Sequence, residues 1–187
     1  IDVLVAGSIF LGEMLEPVKS TSNPYSKMVM GIPFTRRPKA LQFDYKLLMP
    51  PASTGRIYSS GFSKQKHYPG NDSAEVYRSS ALREPRWGQR VGTGRERFHK
   101  GTSGWVNGHQ IPVHYGDITG QPFYKSYMGL IPEEKSYYAE TQKENGAGKG
   151  GWLGQRHMLV MASAGSGNAY IGTLGLTLWV DNMALAY

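Results

Sequence analysis

The stretch from Gln155 to Tyr187, QRHMLVMASAGSGNAYIGTLGLTLWVDNMALAY, constrains the fold more than any other part of the chain. Leu176, Leu178 and Val180 share one parity, while Met183, Leu185 and Tyr187 share the other. Side chains along a strand alternate faces with a period of two, so both sets reach one core only if a residue is inserted between them. Asp181-Asn182 lies at the change of phase, which predicts a β-bulge there with the Asp181 carboxylate turned aside. Gly165, Gly167, Gly172 and Gly175 supply turns and close backbone approach in front of this strand.

The same period recurs upstream. Leu41, Phe43, Tyr45 and Leu47 alternate with Gln42, Asp44 and Lys46, and Pro50-Pro51 closes the run. Ala74 and Val76 alternate with Glu75 and Tyr77 in a second run, expected to neighbour the first. Val3 to Phe10 is a first strand, and Glu16 to Lys27, with Pro17 and Pro24, a loop. Ile111, Val113 and Tyr115 share a face opposite His114, and Pro112 puts the start of that run at a sheet edge. Met158, Val160 and Ala162, against Leu159 and Met161, read as a strand buried on both faces. Helical periodicity is scarce, so the fold class is an all-β antiparallel sandwich, with residues 1–187 forming one domain.

Composition narrows the chemistry. There is no cysteine, which excludes disulfides, thiol catalysis and thiolate-bound metal. No apolar run approaches the ~20 residues of a transmembrane span. The chain starts at Ile1 rather than Met, so it reads as the C-terminal part of a longer precursor. The net charge is +7, and the segment Arg78 to Lys100 holds seven basic residues against two acids. That segment reads either as a solvated loop or as a surface that attracts a polyanion such as an acidic polysaccharide. No nucleic-acid reader motif accompanies the charge, so no nucleic-acid partner is expected.

Few catalytic motifs are present. GAGKGG (Gly146 to Gly151) lacks the spacing of a phosphate loop, and the five histidines have no zinc-ligand spacing. Sugar hydrolysis needs two carboxylates ~5–10 Å apart. Asp44 and Glu75, both outward on strands that could pair, are the candidates for that pair. Trp87, Trp105 and Trp152 lie in Gly-rich, loop-like surroundings, where flat rings can stack on pyranose faces while Lys46 and other polar groups bond hydroxyls. Trp179 reads as structural. Asp181 together with Glu13 could hold a structural calcium ion; the competing reading has Asp181 capping local backbone N–H groups. No other cofactor is implied.

Four ordered segments resemble one family. AGSIFLG (Ala6 to Gly12), GIPFTRRPKALQFDYKL (Gly31 to Leu47), Gly104-Trp105 with IPVHY (Ile111 to Tyr115), and ASAGSGNAYIGTLGLTLWVDNMALAY are similar to the carbohydrate metabolism domain of gut-type Gram-negative bacteria. The sequence departs from that family's Ser-rich turn at ASAGSGN, and Gly175-Leu176 stands where the family has Gly-Ser. The resemblance implies a jelly-roll-like antiparallel β-sandwich akin to galactose-binding and carbohydrate-binding modules. It also implies a periplasmic or cell-surface location, as a secreted or lipid-anchored lipoprotein. The leading reading is a non-catalytic module that binds a polysaccharide or oligosaccharide in glycan capture or metabolism. A glycoside hydrolase with paired carboxylates and a structural protein-docking module are the alternatives, and the oligomeric state is open.

Overall fold

The computed structural model describes residues 4–14, 28–59, 66–84, 87–116, 118–124, 156–165 and 170–187, with the backbone alone at 28–30, 80–84, 87–91 and 156. Its strands in chain order are β1 (Ser8–Phe10), β2 (Gly12–Met14), β3 (Met28–Met30), β4 (Ile32–Pro33), β5 (Ala40–Leu48), β6 (Arg56–Tyr58), β7 (Lys66–Tyr68), β8 (Ala74–Glu84), β9 (Trp87–Phe98), β10 (Val106–Pro112), β11 (His114–Tyr115), β12 (Arg156–Ser163), β13 (Ile171–Gly172) and β14 (Thr177–Ala186). A 3-10 turn, Ala52–Thr54, is the one helical piece among the described residues. None of them forms a helix long and apolar enough to cross a membrane.

Two sheets enclose the core. The larger runs β1-β12-β8-β9-β11, with β4 taking the remaining edge of β12 beside β1; the smaller runs β10-β5-β14. Every pairing is antiparallel. Leu41, Phe43 and Leu47 of β5 and Ile111 of β10 face Ala74 and Val76 of β8, Phe98 of β9, and Met158, Val160 and Ala162 of β12. Burying each large apolar side chain of this set contributes ~1.5–3 kcal/mol, which is why the period-two pattern dictates the fold. The all-β sandwich expected from the sequence is the observed architecture. Smaller ladders, β13-β6-β7 and β2-β3, lie outside the two main sheets.

The predicted phase change in the last strand is a bulge. The register of β14 on β5 shifts between Asp181 and Ala184, and Asn182 takes a left-handed φ of 50°. Leu178, Val180 and Leu185 consequently all pack on the core, although Met183 and Tyr187 stay exposed.

Four expectations need correction. The strand holding Asp44 does not pair with the strand holding Glu75: β5 pairs with β10 and β14, whereas β8 pairs with β9 and β12. The basic segment is no loop either, because most of it forms the long β8–β9 hairpin ladder. Trp87 accordingly opens a strand rather than sitting in a loop. The first strand is also shorter than read, Ser8–Phe10 instead of Val3 to Phe10. The first half of the Trp105–Tyr115 run is an edge strand, as expected, but Pro112 ends it, and Tyr115 belongs to β11 of the larger sheet, so Ile111, Val113 and Tyr115 do not share one strand face.

Candidate functional site

The outer face of the smaller sheet gathers the chemistry. Phe43 and Leu47 of β5 point inward, so Gln42, Asp44 and Lys46 point outward. Residues directly opposite in neighbouring strands share a face, and β14 places Trp179 opposite Lys46 and Asp181 opposite Asp44. On the other side, β10 places Gln110 opposite Gln42, and their side-chain amides bond at 2.8 Å. Val106 stands opposite the core-packed Tyr45, so alternation turns Trp105, one residue earlier, to the outer face beside Lys46. Lys46 of β5 and Trp179 of β14 thus share the outer face, and Trp105, immediately before β10, continues that row by the same alternation. Both indoles are open to solvent, at 49% and 40% exposure. The Lys46 ammonium lies 5.3 Å from the centre of the Trp179 ring, within cation–π range.

Asp44 organises the polar half of this face. Its Oδ1 accepts the Gly108 N–H at 2.6 Å and its Oδ2 accepts the Asn182 side-chain amide at 2.7 Å. Both donors sit in bulges, because β10 also shifts register between Val106 and His109, where Gly108 has a φ of 64°. The Asn182 amide, and then the Gly108 N–H, hold the Asp44 carboxyl below its ordinary pKa. Asp181 Oδ1 accepts the N–H of Asn182 at 2.7 Å, the local capping role. Glu13 lies in the separate β2-β3 ladder, and no cluster of three metal-ligating side chains exists among the described residues.

Glu75 belongs to the opposite side of the molecule. It faces away from Ala74 and Val76 on the larger sheet, yet is only 3% exposed. Its Oε2 receives Arg95 at 3.1 Å and Arg97 at 2.6 Å, and Arg95 also donates to the Phe123 carbonyl at 3.0 Å. Asp44 and Glu75 thus project from different sheets in opposite directions, with the core between them. A shared two-carboxylate site built from this pair is excluded by that geometry.

The alternation that exposes Trp179 was legible, although the sequence pattern alone made that ring structural. Trp152 lies outside the described residues, as does the side chain of Trp87. A further group escaped sequence reasoning: His109 Nε2 lies 2.8 Å from Glu96 Oε2, with the rings of Tyr45, Phe98 and Phe43 packed around the imidazole. Burial first, and then the Glu96 charge, push the Tyr45 phenol up from its ordinary pKa. No sequence spacing signals this cluster, because three separate strands supply it.

No protein-family model matches the chain, and no curated protein matches it. Among solved structures, the chain is similar to one from Bacteroides thetaiotaomicron VPI-5482 described as a candidate glycoside hydrolase, at a TM-score of 0.60 and 20% identity. The match covers 97% of this chain and 47% of that one, so this chain spans about half the length of its structural neighbour. At this identity the likeness is one of fold.

Proposed function

We propose that the chain is a carbohydrate-binding β-sandwich whose ligand lies along the outer face of the β10-β5-β14 sheet. One observation carries the reading: two exposed tryptophans flank a lysine in a row, beside an ordered patch of Asp44, Asn182, Gln42 and Gln110. Strands stand ~4.8 Å apart, so the two tryptophan backbones are separated by ~10 Å, a span suited to neighbouring sugar units on either side of Lys46. Each indole offers an apolar face to pyranose C–H groups, and the amides and the ammonium supply donors and acceptors for hydroxyls. The fold shared with a candidate glycoside hydrolase supports a carbohydrate-related role. That neighbour also motivates hydrolysis as the second reading. The two carboxylates singled out from the sequence give it no support, since they do not share a surface.

The test is a glycan-array screen with reducing-sugar release assayed on every hit. The expected result is binding without release, weakened at least ~10-fold, or ~1.4 kcal/mol, by Trp105→Ala and by Trp179→Ala. Binding that survives both substitutions would move the site elsewhere, with Trp87→Ala and Trp152→Ala as the next variants. Release of reducing sugar would promote the hydrolase, and a blank array would favour a protein-docking module.

A further inference from the structure

Arg78 is the least expected side chain in the core. It lies on β8 two residues beyond Val76, on the same inward face, and is 0% exposed. Its Nε, Nη1 and Nη2 are all without a hydrogen-bond partner among the described residues. A guanidinium carries five N–H donors in a rigid fork and keeps its charge, so native interiors pair it with a carboxylate or phosphate. Among the described residues no acidic side chain does so. Instead the Phe34 ring lies 5.9 Å away under the guanidinium. A polar neighbour is Tyr115, whose hydroxyl donates to the Pro38 carbonyl at 2.6 Å. Burial pushes the Arg78 pKa below its ordinary value; the Tyr115 oxygen opposes that, yet makes no bond of ordinary geometry with the guanidinium.

The surroundings are cationic and aromatic. Arg37 stacks 5.5 Å from the centre of the Tyr115 ring and Arg36 stacks 5.7 Å from that of Tyr187. Both arginines are exposed, and the two tyrosines they stack on also neighbour Arg78, so three guanidinium groups lie at the same end of the sandwich, the innermost without a hydrogen-bond partner among the described residues. Opposite Arg78 on β9 is Gly94, and Gly92 is two residues earlier; a methyl group at Gly92 would meet the Tyr115 ring at 2.9 Å. The absence of a side chain at Gly92 therefore makes room for the Tyr115 ring. Residues 34–38, which carry Phe34, Arg36 and Arg37, belong to no strand. Tyr115 and that segment together form the cover over Arg78.

We infer that Arg78 is the anchor of a carboxylate-binding site at this end of the sandwich, entered past Arg36, Arg37 and Tyr115. The planar guanidinium fork matches a carboxylate in a bidentate pair, and the outer two arginines attract and guide the anion. As a sugar acid the ligand rests on the carbohydrate reading proposed above; as a free small carboxylate it does not. The site is distinct from the Trp105–Lys46–Trp179 row, which occupies the outer face of the other sheet.

Thermal unfolding of the purified chain with glucuronate, acetate or glucose, at fixed ionic strength, tests the inference. Glucuronate is expected to raise the midpoint of the wild-type protein and glucose to leave it unchanged. A larger shift with glucuronate than with acetate assigns the carboxylate to a sugar, and equal shifts assign it to a free carboxylate. Arg78→Met, close in length but uncharged, should abolish the shift and be no less stable than wild type without anion, since it removes a buried unpaired charge. Arg78→Lys keeps the charge without the fork and should bind glucuronate ~10-fold more weakly. It also serves if the methionine variant fails to fold. A wild-type midpoint indifferent to both carboxylates, or a shift retained in both variants, would overturn the proposal. Loss of neutral-glycan binding in Trp105→Ala with an intact glucuronate shift would leave this site standing, whereas failure of all neutral-glycan binding would count against the carbohydrate reading alone.

Discussion

Asp44 accepts hydrogen bonds from partners 64 and 138 residues away in sequence, and this is why its role could not be read from its neighbours. Alternation along β5 correctly pointed it outward, but the sequence contains nothing that commits both of its oxygens. The two donors stabilise the ionised form, so its pKa in the fold lies below the ordinary 3.8. A carboxyl with a depressed native pKa contributes stability that is present above 3.8 and is lost as pH falls through the lower, folded value. Asp44→Asn sets an amide NH2 against one of two existing donors, and the variant should melt below wild type at neutral pH. That gap should be constant from neutral pH down to roughly 5 and should close below the unfolded value. Thermal melts of both proteins across a range of roughly pH 2.5–7 check this. A gap that persists undiminished at the acid end would show that the carboxylate charge is not its cause.

At the scale of a strand, β5 is held between two bulges that face each other across Asp44. The one in β14 was legible because its two apolar sets are out of phase, and a buried face cannot tolerate a register slip. The one in β10 was missed, although an isolated glycine within a strand pattern, Gly108, is its usual mark. Gly108 has a φ of 64° and no heavy atom within 4 Å of where an alanine methyl would stand, so the cost of Gly108→Ala is backbone strain alone. That strain is ~1–2 kcal/mol for a residue with a Cβ in the left-handed region. Urea denaturation should show a loss of this size with an unchanged slope. Asn182, at a φ of 50°, allows the complementary comparison. Asn182→Gly and Asn182→Ala both lose the amide bonded to Asp44, yet the alanine variant should be less stable by a further ~1 kcal/mol, since only glycine enters this conformation without steric cost. Equal losses would mean that the side-chain bond, not the backbone, sets the bulge.

For the molecule as a whole, the sequence revealed which faces are buried and misjudged which strands are neighbours. Alternation assigns Leu41, Phe43 and Val76 to a core, but the partner of each strand is chosen by pairings far apart in the chain, as with β14 on β5. The basic segment was misjudged for a related reason: cross-strand partners do not appear in a charge count, and Glu75 stands directly opposite Arg97. Both sheets nonetheless contribute to one cluster of side chains, with Phe43 of the smaller sheet edge-on to Phe98 of the larger at a centroid distance of 6.4 Å. If the sandwich is one cooperative unit, neither sheet survives loss of that contact. Phe43 is fully buried, so Phe43→Ala should cost ~3–5 kcal/mol, a large share of the ~5–15 kcal/mol that stabilises a typical domain. The same variant separates two architectures. In a single unit, tryptophan fluorescence and far-UV circular dichroism fall together along one denaturation curve, both shifted to lower denaturant by the substitution. In two loosely joined sheets, the fluorescence transition, reporting in part the exposed indoles of the smaller sheet, would move while most of the dichroism stayed. Coincident curves are the expected outcome, because the side chains that bury Phe43 come from both sheets and cannot remain packed around its cavity from one side alone.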